Sequence, residues 1–274
     1  MFYLYESIVE PVLLYGSDIW GAYASCTKDI DKIYLWYIRM VLNVKATTCN
    51  IITMGESGII PPTIKCHRNA ILYFIRLNNL PPGSVVKNVF LELKQLHNTG
   101  FRNWYTNVCE LASSYNIDIC SYKFSDATKN QIKIKLRSHF IRNWMHDLQD
   151  EIKFPILRTY RLIKNEFKFE PYLAAISKFK YRSAMSKLRA SSHILEIERG
   201  RYTNPITTRE QRTCRTCQNF IEDEYHFMMA CEIYKTERNN LFSNIINISP
   251  NFIQMTDIDK FTFLFRNDNP QILS

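Results

Sequence analysis

The chain has 274 residues, of which 46% are hydrophobic and 14% aromatic, enough to bury a real core and too apolar for a disordered polymer. Its formal net charge is +9, and no run of eighteen apolar residues occurs, which argues against a transmembrane helix. The excess charge is concentrated in residues 151–202, with 12 basic and 5 acidic side chains, a block able to attract a polyanion or simply to form a solvated surface.

The N-terminal stretch MFYLYESIVEPVLLYG is apolar but has no basic leader. Glu6 and Glu10 interrupt it and Pro11 breaks it, so it suits neither secretion nor membrane insertion. The expectation is an intracellular protein in a reducing compartment, where closely spaced cysteines signal metal rather than disulfides.

Residues 29–42 then place Ile30, Ile33, Tyr34, Tyr37, Ile38 and Val41 at three- and four-residue intervals, one face of a helix. Pro61 and Pro62 precede a second amphipathic run, Ile64 to Leu77, which Leu80-Pro81-Pro82-Gly83 must end. That breaker is the first candidate boundary. Helices follow around 85–97 and 101–114, joined near Gly100. In 126–149, Ile132, Leu136, Phe140, Trp144 and Leu148 recur every fourth residue, while Lys129, Lys133, Arg137 and Arg142 take other faces. This reads as a core helix with a wetted basic side.

Residues 176–190 suit a further helix, with Tyr181, Ala184, Met185 and Leu188 as its apolar stripe. Lys178, Arg182 and Arg189 share another face, and Lys180 and Lys187 add a second line. These five are the expected phosphate contacts for RNA or DNA. Phe167, Phe169, Tyr172 and Phe179 offer stacking surfaces for bases, although aromatics at helical spacing are more often core.

Residues 214–231, CRTCQNFIEDEYHFMMAC, set Cys214, Cys217, His226 and Cys231 in a Cys-x2-Cys-x8-His-x4-Cys pattern. Zinc takes four such donors tetrahedrally, and three thiolates with one imidazole fill the sphere. The predicted cofactor is therefore structural zinc, with no open position for a reacting water. On a continuous helix Cys231 would lie about 140° round from His226, so a break is expected near Met229–Ala230. Phe220, Ile221, Tyr225, Phe227 and Met228 are read as a small lid folded largely by the metal. Glu222, Asp223 and Glu224 inside the loop would repel phosphate and suit a protein partner instead. The remaining cysteines, Cys26, Cys49, Cys66, Cys109 and Cys120, read as buried small hydrophobes.

No glycine-rich phosphate loop, His-Glu-x-x-His or Gly-x-Ser-x-Gly occurs. The pairs Asp29/Asp31 and Asp257/Asp259 read as exposed helix-start charges, not a two-metal site. No active site is expected. The predicted fold is mainly α, an irregular multi-helix assembly with a small C-terminal Cys-Cys-His-Cys zinc-knuckle module. Its expected segments are 1–80, a helical connector over 81–202, and 203–274.

The stretch 187–242 closely resembles the C-terminal end of reverse transcriptases from non-LTR, LINE-type retrotransposons. Lys187, Leu188, Arg189, Ser192, His193, Glu198, Gly200, Arg201 and Tyr202 match the segment leading into that family's zinc knuckle. Cys214, Cys217, His226 and Cys231 match the knuckle itself. IVEPVLLYGSDIWG (8–21) and KATTCNIITMGESGIIPP (45–62) resemble the region following the polymerase core. The resemblance implies a post-polymerase fragment, nuclear by analogy, that helps hold template RNA or target DNA. It implies no DNA synthesis by this chain, because the family's Asp-Asp motif and its endonuclease domain are not in the sequence.

Overall fold

The computed structural model describes residues 2–218, 220–266, 269 and 272. Among these the chain is mainly helical and has no strand, only an isolated antiparallel bridge between Thr213 and Ile221. No described helix is long and apolar enough to cross a membrane.

The chain divides into two compact units. The first comprises 1–41 and 59–146, the second 42–58 and 147–274. These borders differ from the expected ones at 80 and 202. The breaker at 80–83 is an internal turn, because the helices on either side pack into one core. Phe74 meets Phe90 edge-on at 5.1 Å and Tyr105 at 4.8 Å, and Val108, Ile132 and Leu136 close the same cluster. The Lys87 amine also spans the turn, donating to the carbonyls of Leu77 and Asn78 that end the preceding helix.

Each helix of the first unit has a local cause. Pro62 occupies the first turn of Pro62–Asn78, where its missing N–H costs nothing. Asp31 accepts from the Thr63 N–H of that same turn, so it is not the exposed charge expected of it, and burial raises its carboxyl. Ser84 caps Val85–Asn98, and Asn103 with Thr106 forms a capping box on Trp104–Ser114. In Ala24–Leu42 the stripe of Tyr34, Ile38 and Val41 is buried as predicted, whereas Ile33 faces solvent. Helix Asp126–Gln149 buries Ile132, Leu136, Trp144 and Leu148.

In the second unit the short helix Asn50–Ser57 is buried along most of its length and ends at Gly58. Gly58 has φ +63°, and a Cβ there would lie 2.2 Å from the Phe169 backbone nitrogen, so only glycine fits. This close approach lets the Glu170 N–H donate to the Glu56 carbonyl. Helix Phe179–Arg189 packs against the same region with an unexpected face. Its buried residues are Ser183, Ser186 and Arg189, while Tyr181 and Ala184 of the predicted apolar stripe are exposed. The reason is a buried polar cluster. Arg189 binds Glu56 through Nε and Nη2 at 2.9 and 2.8 Å and Glu170 through Nη2 at 2.7 Å, and Tyr172 donates to Glu56 at 2.7 Å.

Of the five isolated cysteines only Cys66 is fully buried, and burial pushes its thiol up to about 12. Cys49 and Cys109 are partly covered, and Cys26 and Cys120 are exposed, so the small-hydrophobe reading holds for Cys66 alone.

Candidate metal centre

A hairpin-like loop presents the first two donors. Cys214 N–H donates to the Phe220 carbonyl and Glu222 N–H to the Arg212 carbonyl, which ties the two arms together. The tip turns at Cys214-Arg215-Thr216-Cys217, closed by Gln218 N–H donating to the Cys214 carbonyl at 2.8 Å, with Gln218 at φ +53°. Of the other two donors, His226 lies within and Cys231 directly after a short helical segment capped by Asp223, whose side chain accepts from the His226 N–H at 2.8 Å.

Residues His226–Ala230 form a π-turn, and Cys231 N–H donates to the His226 carbonyl at 2.8 Å, an i to i+5 bond. That wider turn carries Cys231 over His226, which an α-helix cannot do. The backbone then becomes extended at Cys231, with ψ 125°, so the expected break falls where Met229–Ala230 hands over to the last ligand.

One ligand atom from each of Cys214, Cys217, His226 and Cys231 lies within 4.8 Å of the others. The Cys231 sulfur is 3.9 Å from that of Cys214 and 3.8 Å from that of Cys217. A disulfide needs about 2.0 Å. Two thiolates about 2.3 Å from one tetrahedral zinc stand about 3.8 Å apart. The imidazole gives an independent indication: both ring nitrogens of His226 are buried with no hydrogen-bond partner, a costly state for a polar ring unless a nitrogen ligates an ion. Burial, reinforced by the neighbouring thiols, pushes the Cys231 thiol up to about 11. A cation favours the thiolate and reverses that preference. The donor set could hold a metal ion such as zinc.

The predicted lid is anchored rather than loose. Phe220 stacks on His226 at 5.7 Å, Tyr225 meets Phe261 at 5.4 Å, and Met228 packs on the cluster of Ile245, Phe252 and Leu264. The acidic loop is also largely used internally. Glu222 accepts from the Glu196 N–H, Asp223 caps the ligand helix, and Glu224 is fully buried. Around Glu224 converge Arg158, Thr159, Ser191 and His193, all within 3.0 Å. Burial alone would raise this carboxyl, but the His193 hydrogen bond and the Arg158 charge outweigh it and hold the group at about 2. Glu198, bound by Arg158 and Arg201, completes the network. Arg158, His193, Glu198 and Arg201 thus fasten the module to its own unit.

The predicted phosphate contacts separate. Lys178 and Lys180 are exposed, and Arg182 and Lys187 are half-buried. Arg189 is 0% exposed and consumed by Glu56 and Glu170, so it does not face a phosphate. Its helical period matches Lys178 and Arg182, but its partner Glu56 is remote in sequence. Among the aromatics, Phe167 and Tyr172 are core, whereas Phe169 and Phe179 are exposed. Tyr181, expected in the apolar stripe, is exposed and alternates with the lysines instead. Lys178 lies 5.7 Å over the Tyr181 ring and Arg182 5.7 Å from the Phe179 ring.

Fold and site together define a mainly α protein with a Cys3His cluster that can hold a metal ion. No protein-family model, curated protein or solved structure matches the chain.

Proposed function

We propose that this chain is a non-catalytic, zinc-stabilised nucleic-acid-binding segment of a non-LTR retrotransposon reverse transcriptase. The observation that carries the reading is the platform at 178–182. Phe179 and Tyr181 are 52% and 54% exposed, and they interleave with Lys178, Lys180 and Arg182. Exposed rings stack bases of any sequence, and the cations between them follow the backbone phosphates. The resemblance of 187–242 names the family, and the saturated donor set supports a structural rather than reactive metal.

With Arg189 buried, four predicted contacts remain. These four contribute about −2.8 to the slope of log affinity against log salt for a single strand, about 0.7 per contact. Fluorescence anisotropy with RNA and DNA oligonucleotides over a salt series measures it. Association that ignores salt, or no association, contradicts the reading.

A second reading is a protein-docking module. The unabsorbed acid of the knuckle loop is small, since Glu224 is buried, so this reading is the weaker. Capture of a protein partner that survives nuclease and high salt would favour it.

A further inference from the structure

Beside the metal module, within the second unit, lies a cleft of about 330 Å³. Five arginines line it, Arg158, Arg161, Arg201, Arg209 and Arg212, against one acid, Glu151. We propose that this cleft seats a phosphate group of a nucleic-acid strand. The inference rests on the nucleic-acid reading for the identity of the strand and adds a site which that reading did not contain.

Arg158 spends its terminal nitrogens on Glu198 at 2.9 Å and on Glu224 at 2.8 Å, and Arg201 lies 3.0 Å from Glu198. These two are paired with carboxylates. The other three are not. Arg161 donates to the carbonyls of Leu148, Asp150 and Phe154 at 2.7, 2.8 and 2.6 Å. Arg212 donates to the carbonyls of Thr207 at 2.9 and 2.8 Å and Ile197 at 2.9 Å. Carbonyls satisfy N–H groups and fix the orientation of the side chain, but they leave its positive charge in place. Arg209 is exposed and, among the described residues, forms neither an ion pair nor a side-chain hydrogen bond. The Nε of Arg158 is buried without an acceptor.

The cleft therefore holds three guanidiniums outside any ion pair among the described residues, against the single lining acid Glu151, two of them oriented by the fold before any ligand arrives. Like charges gathered in a concave, partly desolvated site repel one another and are relieved by an anion. Phosphate is the anion that suits them. It offers several acceptor oxygens at tetrahedral angles, and guanidinium forks match them in pairs. Arg161 keeps one terminal nitrogen uncommitted, and Arg209 keeps its whole fork. Gly200 also belongs to this arrangement. A Cβ there would stand 2.7 Å from the Arg212 side chain, so glycine leaves room for Arg212 to lie beside the cleft.

Arg209 is the residue to alter, because among the described residues its side chain forms no hydrogen bond or ion pair, and its backbone contact to the Arg212 N–H survives a side-chain change. The full-length protein and its Arg209→Gln and Arg209→Lys variants are compared by anisotropy with a mixed-sequence single-stranded oligonucleotide across a salt series. Inorganic phosphate is titrated in parallel against the thermal midpoint. Arg209→Gln should weaken strand binding about ten-fold or more and make the salt slope shallower by about 0.7, while Arg209→Lys retains the slope. Equal affinity and slope in Arg209→Gln overturn the cleft assignment and leave the nucleic-acid reading standing. A loss of phosphate binding without any change in strand binding assigns the cleft to a small phosphate ligand and overturns the strand. Absence of strand binding by the unaltered protein is a different result: it overturns the functional reading and the cleft's strand with it.

Discussion

Arg189 clasps Glu56 in parallel fork geometry, Nε to Oε2 at 2.9 Å and Nη2 to Oε1 at 2.8 Å, with both side chains fully buried. Desolvation opposes the charge on each, yet the Arg189 charge and its hydrogen bonds still hold the Glu56 carboxyl below the ordinary range. Removing one partner strands the other. Arg189→Ala should destabilise the second unit by about 3–5 kcal/mol in denaturant unfolding, because Glu56 and Glu170 lose their common cation. If Arg189 served phosphate instead, the variant would be stable and deficient in binding.

The first unit carries an acid-sensitive group of its own. Burial pushes His67 down to about 4 from an ordinary value of 6.5, and its Nδ1 faces the Tyr115 hydroxyl at 2.7 Å. The folded state binds this proton less readily than the unfolded chain, so stability falls as pH drops from about 6.5 and the loss is complete near pH 4. Each tenfold difference in proton affinity between the two states is worth about 1.4 kcal/mol, and the deficit approaches about 3 kcal/mol. Urea melts of the unaltered protein and His67→Gln across that window check it. The variant should have the flatter profile, and parallel profiles would exclude His67 as the source.

Much of this architecture is legible from spacing alone. The apolar period of Ile132, Leu136, Trp144 and Leu148 marks the helix Asp126–Gln149, and Pro61-Pro62 marks the start of Pro62–Asn78. The four metal donors are legible for the same reason, since soft ligands closely spaced in sequence need only one hairpin and one turn to meet. Arg189 is not, because a basic residue in register with Lys178 looks solvated until its distant carboxylate is known. The inverted face of helix 179–189 has the same cause: Ser186 and Arg189 turn inward to Tyr172 and Glu56, and Ser183 to the amide of Asn43, all remote in sequence. The arginine cleft is hidden by dispersion of its residues from 158 to 212, although the basic excess of 151–202 is its trace.

Gly58 offers a backbone test. With φ +63° and its missing Cβ 2.2 Å from the Phe169 nitrogen, Gly58→Ala must displace backbone on both sides. It should lower stability by more than about 1 kcal/mol, where a permissive glycine site would gain up to about 1 kcal/mol from the same change. A calorimetric midpoint at or above that of the unaltered protein would contradict the close approach.

The platform at 178–182 makes a quantitative demand. The double variant Lys178→Ser/Lys180→Ser removes two cations of the platform, so the salt slope for a single strand should become shallower by about 1.4. Phe179→Ser should instead weaken binding by about 1–3 kcal/mol at every salt concentration, since stacking is uncharged. Identical losses from both changes would argue against separate phosphate and base contacts.

The most direct test is elemental analysis of the purified protein beside Cys217→Ser. Sulfurs at 3.8 and 3.9 Å and an imidazole without a hydrogen-bond partner predict one zinc per chain, lost on that substitution. Metal-free unaltered protein, or a variant that keeps its full equivalent, would contradict the shared centre on which the account stands.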